Sequence, residues 1–174
     1  PPQPVRTDMT IPIVDPAAVD ALVDRDGDRV SLPVGGRISP MFEPVDVEGV
    51  VASVHSGSFD QEGTYYGGTS FDLGDRVVLR LADRPVDLLL TSKPPLTTDP
   101  SFYSAHGIDP MGKSLVVVKS AGHFRPNFEP IAAEIRTVDS PGVCPINLRR
   151  CPYEKARPLY PLDEPPFDPT PRRG

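Results

Sequence analysis

The alternation of apolar and polar residues predicts that strands dominate this chain. The segments RVSLPVGG and RVVLRLADRPVDLLLTSK predict three strands, the last two joined by a short turn at Ala82 to Pro85. VDVEGVVASVHSGSF alternates with a period of two residues except for a slip at Gly49, which is typical of a β-bulge. SLVVVKS predicts a strand that is buried on both faces, and IRTVDSPG predicts the last strand.

Three segments predict short helices. Asp15 stands before a proline at the start of an apolar pattern with helical spacing, which suits a helix N-cap. DPSFYSAHGIDP predicts a second helix, capped by Asp99 and stopped by Gly107. HFRPNFEPIAAE predicts a third, with Pro126 and Pro130 in its first turns. We therefore expect an α+β fold, a single strand-rich domain with a mixed sheet and two or three short helices.

Proline is concentrated at the two ends of the 174-residue chain, which contains 24 prolines. This pattern predicts a Pro-rich linker at residues 1–10, a folded domain at 11–163 and a Pro-rich tail at 164–174. The chain begins among prolines and without Met, which suggests a piece of a longer protein. Cys144 and Cys151 lack the short CxxC spacing of metal and redox motifs, so we expect reduced thiols.

The charge and hydropathy of the chain argue against two classes of partner. The formal net charge is −6 and no basic stripe is visible, so we expect no nucleic-acid partner. No apolar run approaches the length that crosses a bilayer, so we expect no membrane partner either. The N-terminus lacks the pattern of a signal peptide.

The three histidines, His55, His106 and His123, are too scattered to predict a metal site. A catalytic zinc site needs three protein ligands, usually with a closely spaced pair, and the sequence has no HxH, HxxH or HExxH. We expect His55, in a strand-like run, to face water. His106 lies at a helix end, where its imidazole can bind the last carbonyls. We therefore predict no metal ligand in this chain.

The densest group of polar side chains follows the predicted strand SLVVVKS. Lys119 and Ser120 end that strand, and His123 and Arg125 come just after the flexible Gly122. Because the ends of strands and the starts of helices gather ligand groups, these four polar residues could form an anion-binding rim. The alternative is a buried polar cluster that satisfies backbone groups at this turn. The sequence alone leaves both interpretations open.

Two other segments carry weaker signals of binding. Lys93 follows a predicted strand just as Lys119 does, so both are candidate cations of a rim, although both could simply be solvated. The segment GTYYGGTS could present Tyr65 and Tyr66 as a contact surface, although a flexible hairpin connection is the simpler interpretation. A GxSxG motif is absent, so the sequence does not support serine hydrolase chemistry.

The same residues carry a resemblance to a known family. GIDPMGKSLVVVKSAGHFRPNFEPIAAEIRTVDSPGV, followed by LRRCPYEKARPLYPLD, resembles the C-terminal domain of the microcystinase C (MlrC) family of metallopeptidases. Earlier segments fit in the same order, and the resemblance covers residues 11–163. The GGAPGD-like loop that usually opens this domain in the family is not found here.

The resemblance implies a role inside a longer, cytoplasmic protein. In that family an N-terminal domain carries the zinc ligands, and the C-terminal domain packs against it. The best-known activity is hydrolysis of amide bonds in linearised microcystin and smaller peptides. The expected cofactor is therefore zinc in the parent protein, with none bound by this chain alone. The expected partners are the N-terminal metal-binding domain of the same protein and a peptide substrate.

Together, the residues and the resemblance predict the substrate-side domain of a zinc-dependent peptidase or amidohydrolase. In this hypothesis His123 is the catalytic residue, which hydrogen-bonds a substrate carbonyl or a developing oxyanion. Lys119, Ser120, Arg125 and Lys93 are the substrate-binding residues, of which the cations could hold a carboxylate. We expect the chain to be inactive by itself. The alternative is a non-catalytic module that binds a ligand or a partner chain.

Overall fold

A computed structural model describes residues 8–38, 40, 42–140, 147–151, 153–156, 159 and 162–163. The chain divides into two compact units, residues 1–133 and 134–174. Most of the predicted linker at 1–10 and all of the predicted tail at 164–174 lie outside the described residues, as does Cys144. The predicted domain limits and the redox state of the cysteines therefore stay predictions.

The described part of the first unit contains two sheets and three short α-helices. The strands are β1 (Met9–Val14), β2 (Arg29–Val34), β3 (Val45–His55), β4 (Ser58–Asp60), β5 (Ser70–Asp72), β6 (Arg76–Leu81), β7 (Val86–Thr91) and β8 (Leu115–Val116). The helices are α1 (Pro16–Leu22), α2 (Pro100–Ser104) and α3 (Arg125–Phe128). The main sheet has the order β2-β3-β6-β7-β1-β8, in which β1 is parallel to both neighbours and the other pairs are antiparallel. β4 and β5 form a separate antiparallel hairpin. The predicted α+β class with a mixed sheet is confirmed.

One face of the main sheet is covered by α1. Asp15 caps this helix by accepting a hydrogen bond from the N–H of Ala18 over 3.0 Å, as its position in the sequence predicts. Asp15 also accepts bonds from the N–H of Gly35 and from Nη1 of Arg37, which tie the end of β2 to the start of α1. The buried apolar residues of this layer include Ala18, Val19, Leu22, Val30, Val51, Val77, Leu79, Leu88 and Leu90.

The opposite face is covered by α2, α3 and the β4–β5 hairpin. Val78 of β6 and Leu89 of β7 point to this side, because side chains alternate between the two faces of a strand. Their main partners are aromatic: Phe59, Phe102, Tyr103 and Phe128. Burying one such side chain contributes about 1.5–3 kcal/mol, whereas a helix of four or five residues has little stability of its own. Packing therefore holds α2 and α3 in place.

The predicted bulge in β3 lies later in the strand than expected. The pairing of β3 with β6 shifts register between Val51 and Ser53, not at Gly49. Gly49 instead allows the backbones of β3 and β6 to approach closely, since a Cβ there would lie 2.4 Å from the carbonyl oxygen of Arg80. The shift places both Val51 and Val54 on the α1 side of the sheet.

The strand predicted over SLVVVKS is shorter and more exposed than expected. β8 spans only Leu115–Val116, and in the described part of the chain it pairs with β1 alone, at the edge of the sheet. Leu115 is 44% exposed, and Val116 to Val118 are half-buried. The prediction of a strand buried on both faces was wrong, because a branched aliphatic composition does not distinguish an edge strand from a central one.

The helix predicted over HFRPNFEPIAAE is reduced to α3. Pro126 lies in its first turn, as predicted. Pro130 has no N–H to donate to the carbonyl of Pro126, so the regular pattern is interrupted there and α3 ends at Phe128, although the N–H of Ala132 still donates to the carbonyl of Phe128.

The second unit has little regular structure among its described residues. The strand predicted over IRTVDSPG is not formed in the described residues 135–140 of that segment. A short 3₁₀ helix spans Leu148–Arg150, and Arg150 pairs with Asp139 over 3.4 Å. Within the described residues Cys151 has no disulfide partner.

Candidate functional site

The polar group at His123 lies beside a loop that carries two tyrosines. The imidazole of His123, in the turn before α3, stacks on the ring of Tyr65 with centroids 4.4 Å apart and planes 16° apart. Tyr65 contacts Tyr66 edge-on, and Tyr66 contacts Phe71 of β5 in the same way. We call residues 61–69, which join β4 to β5, the tyrosine loop. His123 is exposed, and within the described residues no hydrogen bond engages its ring nitrogens.

Asn127 of α3 fastens the tyrosine loop to the rest of the first unit. Its Oδ1 accepts hydrogen bonds from the backbone N–H and from Oγ1 of Thr64, each 3.0 Å long. Its Nδ2 donates to the carbonyl oxygen of Thr98 over 3.1 Å. The placement of Tyr65 against His123 therefore depends on an amide side chain that the sequence analysis did not single out.

The tyrosine loop is held closely at its start. Gln61 is buried and donates from Nε2 to the carbonyl oxygen of Tyr65 over 2.8 Å. Gly63 has no room for a side chain, because a Cβ there would lie 1.5 Å from Oδ2 of Asp99. Tyr66 adopts a φ of 60°, in the left-handed region that favours glycine. These contacts give the loop a defined conformation, while the flexibility expected from the sequence stays a prediction.

Lys119 has no carboxylate partner among the described residues. Its backbone N–H donates to Oγ1 of Thr97 over 2.9 Å, which fixes the chain just after β8. The residue is exposed, yet protein atoms around its ammonium partly desolvate it and lower the pKa of Lys119. Of the predicted cations, Lys119 is therefore the one that an external carboxylate would stabilise most.

The other predicted cations already have anionic partners. Lys93 pairs with Asp72 over 2.5 Å, and this bond lowers the pKa of the Asp72 carboxyl. Arg125 pairs with Glu129 over 2.8 Å along α3. Ser120 is half-buried beside Lys119. The five predicted site residues stay predictions, but the geometry favours His123 and Lys119 over the two paired cations.

The sequence left two interpretations of the polar group open, an anion-binding rim and a buried polar cluster, and these apply to different residues. His123 is exposed, so it does not belong to a buried polar cluster. Asn127, four residues later, is half-buried and does satisfy backbone groups of Thr64 and Thr98. The sequence pattern does not distinguish the exposed His123 from the half-buried Asn127, because both residues lie in the same short polar stretch.

A buried pair, Arg76 and His106, lies behind the hairpin. Nε of Arg76 donates to Nε2 of His106 over 2.8 Å, and Nδ1 of His106 donates to the carbonyl oxygen of Phe102 over 2.5 Å. The bond to the helix carbonyl confirms the role predicted for His106. His55 is half-buried, and the centroid of its ring lies 5.0 Å from that of His106, so it faces water only in part.

A surface cleft of the first unit opens beside α2. Its volume is about 830 Å³. The residues that line it include Ser58, Asp60, Glu62, Arg76, Ser101 and Ala105. Lys119 and Lys93, the two lysines predicted to be cations of a binding rim, do not line this cleft.

The described residues do not fit a metal ion. No three side chains of His, Cys, Asp or Glu lie close enough together in the described part of the chain. Both ring nitrogens of His106 have partners, and Nε2 of His55 lies 2.9 Å from Oγ of Ser53. These histidines therefore do not form part of a three-ligand metal site within the described residues.

The comparison with protein families decides what this chain is related to. The family model described as MlrC C-terminus matches residues 2–155. This chain belongs to the MlrC C-terminus family. Membership confirms the resemblance drawn from the segments around His123, and it supports a domain of a peptidase family.

A solved structure agrees with the MlrC C-terminus assignment. The crystal structure of "Putative metallopeptidase from Mesorhizobium sp. BNC1", at 2.13 Å resolution, matches this chain with a TM-score of 0.80 and 31% sequence identity. The match covers 94% of this chain but only 33% of that protein, so this chain spans a third of the length of that relative. A comparison with curated protein sequences found no match. None of the helices in the described residues is long and apolar enough to cross a membrane.

Proposed function

We propose that this chain is the substrate-side domain of a zinc-dependent peptidase or amidohydrolase that acts on small or linearised peptides. The zinc site would come from an N-terminal domain of the same, longer protein. Family membership and the metallopeptidase-named relative, three times as long, support this proposal. The lack of a three-ligand metal cluster among the described residues is compatible with a metal held elsewhere.

The observation that carries the proposal is the stack of His123 on Tyr65. Ring planes 16° apart hold the imidazole in one orientation, while the exposed ring edge remains available to a ligand. An imidazole held in this way can donate a hydrogen bond to a substrate carbonyl or to the oxyanion that develops from it. Pre-orientation matters because such a donor acts only when it is already in place.

Lys119 would complete the contact with the substrate. Its ammonium is partly desolvated and has no carboxylate partner in the described part of the chain. A substrate carboxylate would supply that partner through a charge-assisted hydrogen bond. Ser120 would add a hydroxyl beside it. Arg125 and Lys93 would contribute only if their bonds to Glu129 and Asp72 were exchanged for bonds to substrate.

The test is a substitution of His123 in the longer protein that contains this domain. We expect His123→Ala to lower kcat by about 10²-fold or more, the usual effect of removing one oxyanion donor, while bound zinc stays unchanged. Steady-state kinetics on a short peptide and elemental analysis of the same sample would measure both. Arg29→Ala, at an exposed ion pair of β2, is the control and should change neither.

Two outcomes would contradict the proposal. Unchanged kinetics in His123→Ala would remove the catalytic role and favour the alternative, a non-catalytic module that binds a ligand or partner chain. Loss of zinc in the same variant would make His123 a metal ligand, which the described geometry does not support.

A further inference from the structure

Arg76 is a buried cation whose bonding is incomplete. The residue is only 4% exposed. Its Nη1 donates to the carbonyl oxygens of Gly57 and Gly74, at 2.5 and 2.7 Å, and its Nε donates to His106. Its Nη2 makes no hydrogen bond with the described residues, and none of their carboxylates pairs with the guanidinium. Nη2 is not one of the buried atoms that lack a partner, and Arg76 lines the cleft, so its two N–H groups are available to a ligand there.

The bonds that Arg76 does make hold it in a fixed position. His106 is itself locked by its bond to the carbonyl of Phe102, so it accepts from Arg76 as a neutral imidazole. Burying a cation without an anionic partner is costly, and burial lowers the pKa of Arg76 accordingly. A rigid guanidinium of this kind, lining a cleft of about 830 Å³, is suited to a planar carboxylate.

Two carboxylates, Asp60 and Glu62, line the same cleft and carry the charge opposite to that of Arg76. These residues alternate with the buried Phe59 and Gln61, so period-two geometry turns both carboxylates to the outside, where they line the same cleft. Neither forms an ion pair with any described residue. A simple anion would be repelled by these two charges and by Asp99, which also lines the cleft, whereas a ligand with both a carboxylate and an ammonium would match charges of both signs.

We propose that this cleft binds a small zwitterionic ligand, with its carboxylate on Nη2 of Arg76 and its ammonium beside Asp60 and Glu62. A free amino acid or a short peptide with unblocked ends has this chemistry. The inference goes beyond the proposed function, because it concerns residues other than His123 and Lys119 and a binding event that needs no metal.

The test compares three probes on the 174-residue chain by titration calorimetry. The probes are trialanine, N-acetyl-trialanine, which lacks the ammonium, and trialanine amide, which lacks the carboxylate. We expect trialanine to bind at least about tenfold more tightly than either blocked form, since each blocked form loses a charge-assisted bond. Equal binding of all three, or no binding of trialanine, would overturn the proposal.

Variants on the exposed wall locate the site without disturbing the buried arginine. The double variant Asp60→Asn, Glu62→Gln should weaken trialanine about tenfold but should not weaken N-acetyl-trialanine, because the variant removes the two charges that repel an anion. The matched control Asp46→Asn, Glu48→Gln removes two exposed charges at the same spacing on β3 and should weaken neither. Equal effects of the two double variants would contradict the proposal.

A blocking variant tests the carboxylate end. Ala105 is exposed and lines the cleft, so Ala105→Trp should fill the cleft and weaken trialanine at least tenfold. Arg76 itself is not substituted in this variant. Circular dichroism melting confirms that this variant is folded. Tight binding to a folded Ala105→Trp would place the ligand elsewhere and overturn the assignment to this cleft. Because His123 is intact in every variant, failure here leaves the proposed function standing, and the reverse also holds.

Discussion

Arg76 donates a hydrogen bond from Nε to Nε2 of His106 over 2.8 Å, and both side chains are buried. The bond requires an unprotonated Nε2, so His106 must carry its single proton on Nδ1, where it donates to Phe102. Burial is the main cause that lowers the pKa of His106 to about 4; the charge of Arg76 adds to it, and the bond to Phe102 opposes it. The pair is thus stable only while the imidazole is neutral.

We expect acid to destabilise the fold through His106. The unfolded chain takes up a proton near pH 6.5, whereas the folded imidazole resists protonation until about pH 4. The free energy of unfolding is therefore highest above pH 6.5 and falls by up to about 3 kcal/mol between pH 6.5 and 4. Urea denaturation at several pH values measures it. His106→Gln retains an acceptor without titrating, so its stability should fall less over this range; an equal fall would contradict the assignment.

Removing the charge of Asp87 in β7 should destabilise the interior of the main sheet. Asp87 is buried, which opposes its charge, but bonds from Lys113 at 2.8 Å and Arg80 at 3.0 Å prevail and lower the pKa of its carboxyl. Asp87→Asn removes one of the two carboxylates that pair with Lys113, the other being Asp8, so we expect a loss of about 2 kcal/mol in urea denaturation. Asp28→Asn, in an exposed pair with Arg25, should cost less than about 1 kcal/mol. Similar losses would show that Asp87 is effectively solvated.

Adding one methyl group at Gly63 should displace the tyrosine loop. The new Cβ would lie 1.5 Å from Oδ2 of Asp99, a buried atom that cannot move freely. We expect Gly63→Ala to lower the free energy of unfolding by about 1–3 kcal/mol, as overpacking does. Gly122→Ala is the control, because nothing lies within 4 Å of its Cβ position. A thermal melt distinguishes the two, and equal stability of both variants would refute the close contact.

Truncating Asn127 should release the tyrosine loop without unfolding the domain. Asn127→Ala leaves the N–H of Thr64 and the carbonyl of Thr98 without partners, at a cost of about 2 kcal/mol. Hydrogen exchange should accelerate across residues 61–69, and the ring of His123 should lose the chemical shift caused by stacking on Tyr65. Thr64→Val removes only the hydroxyl bond and should have a smaller effect on both. Unchanged exchange in Asn127→Ala would show that other contacts hold the loop.

Much of the fold could be predicted because the signals are local. Asp15 and Asp99 each cap a helix that begins with the next residue, so neighbours along the chain are sufficient to identify them. The antiparallel pair β6–β7 was predicted from two apolar runs and the short turn between them. The length of α3 was overestimated because Pro130 interrupts the hydrogen-bond pattern even though helix-forming residues follow it.

The candidate site could be predicted only in part. The segment of Lys119 to Arg125 was identified from its polar side chains after a strand, but its relation to Tyr65 could not be, since the two segments meet through packing and not through sequence. Asn127 and Arg76 carry no motif. Their importance comes from the groups that they bond, and these lie far away in the chain.

The sequence by itself determined β2, β3, β6 and β7, the caps of α1 and α2 and membership of the MlrC C-terminus family, because alternation, capping and family motifs depend on residues close together in the chain. Only the tertiary structure decided which charges are paired, which strand lies at the edge and which histidine is buried. Those properties depend on strand order and burial, which bring His106 to Arg76, 30 residues earlier, and leave His123 exposed on Tyr65.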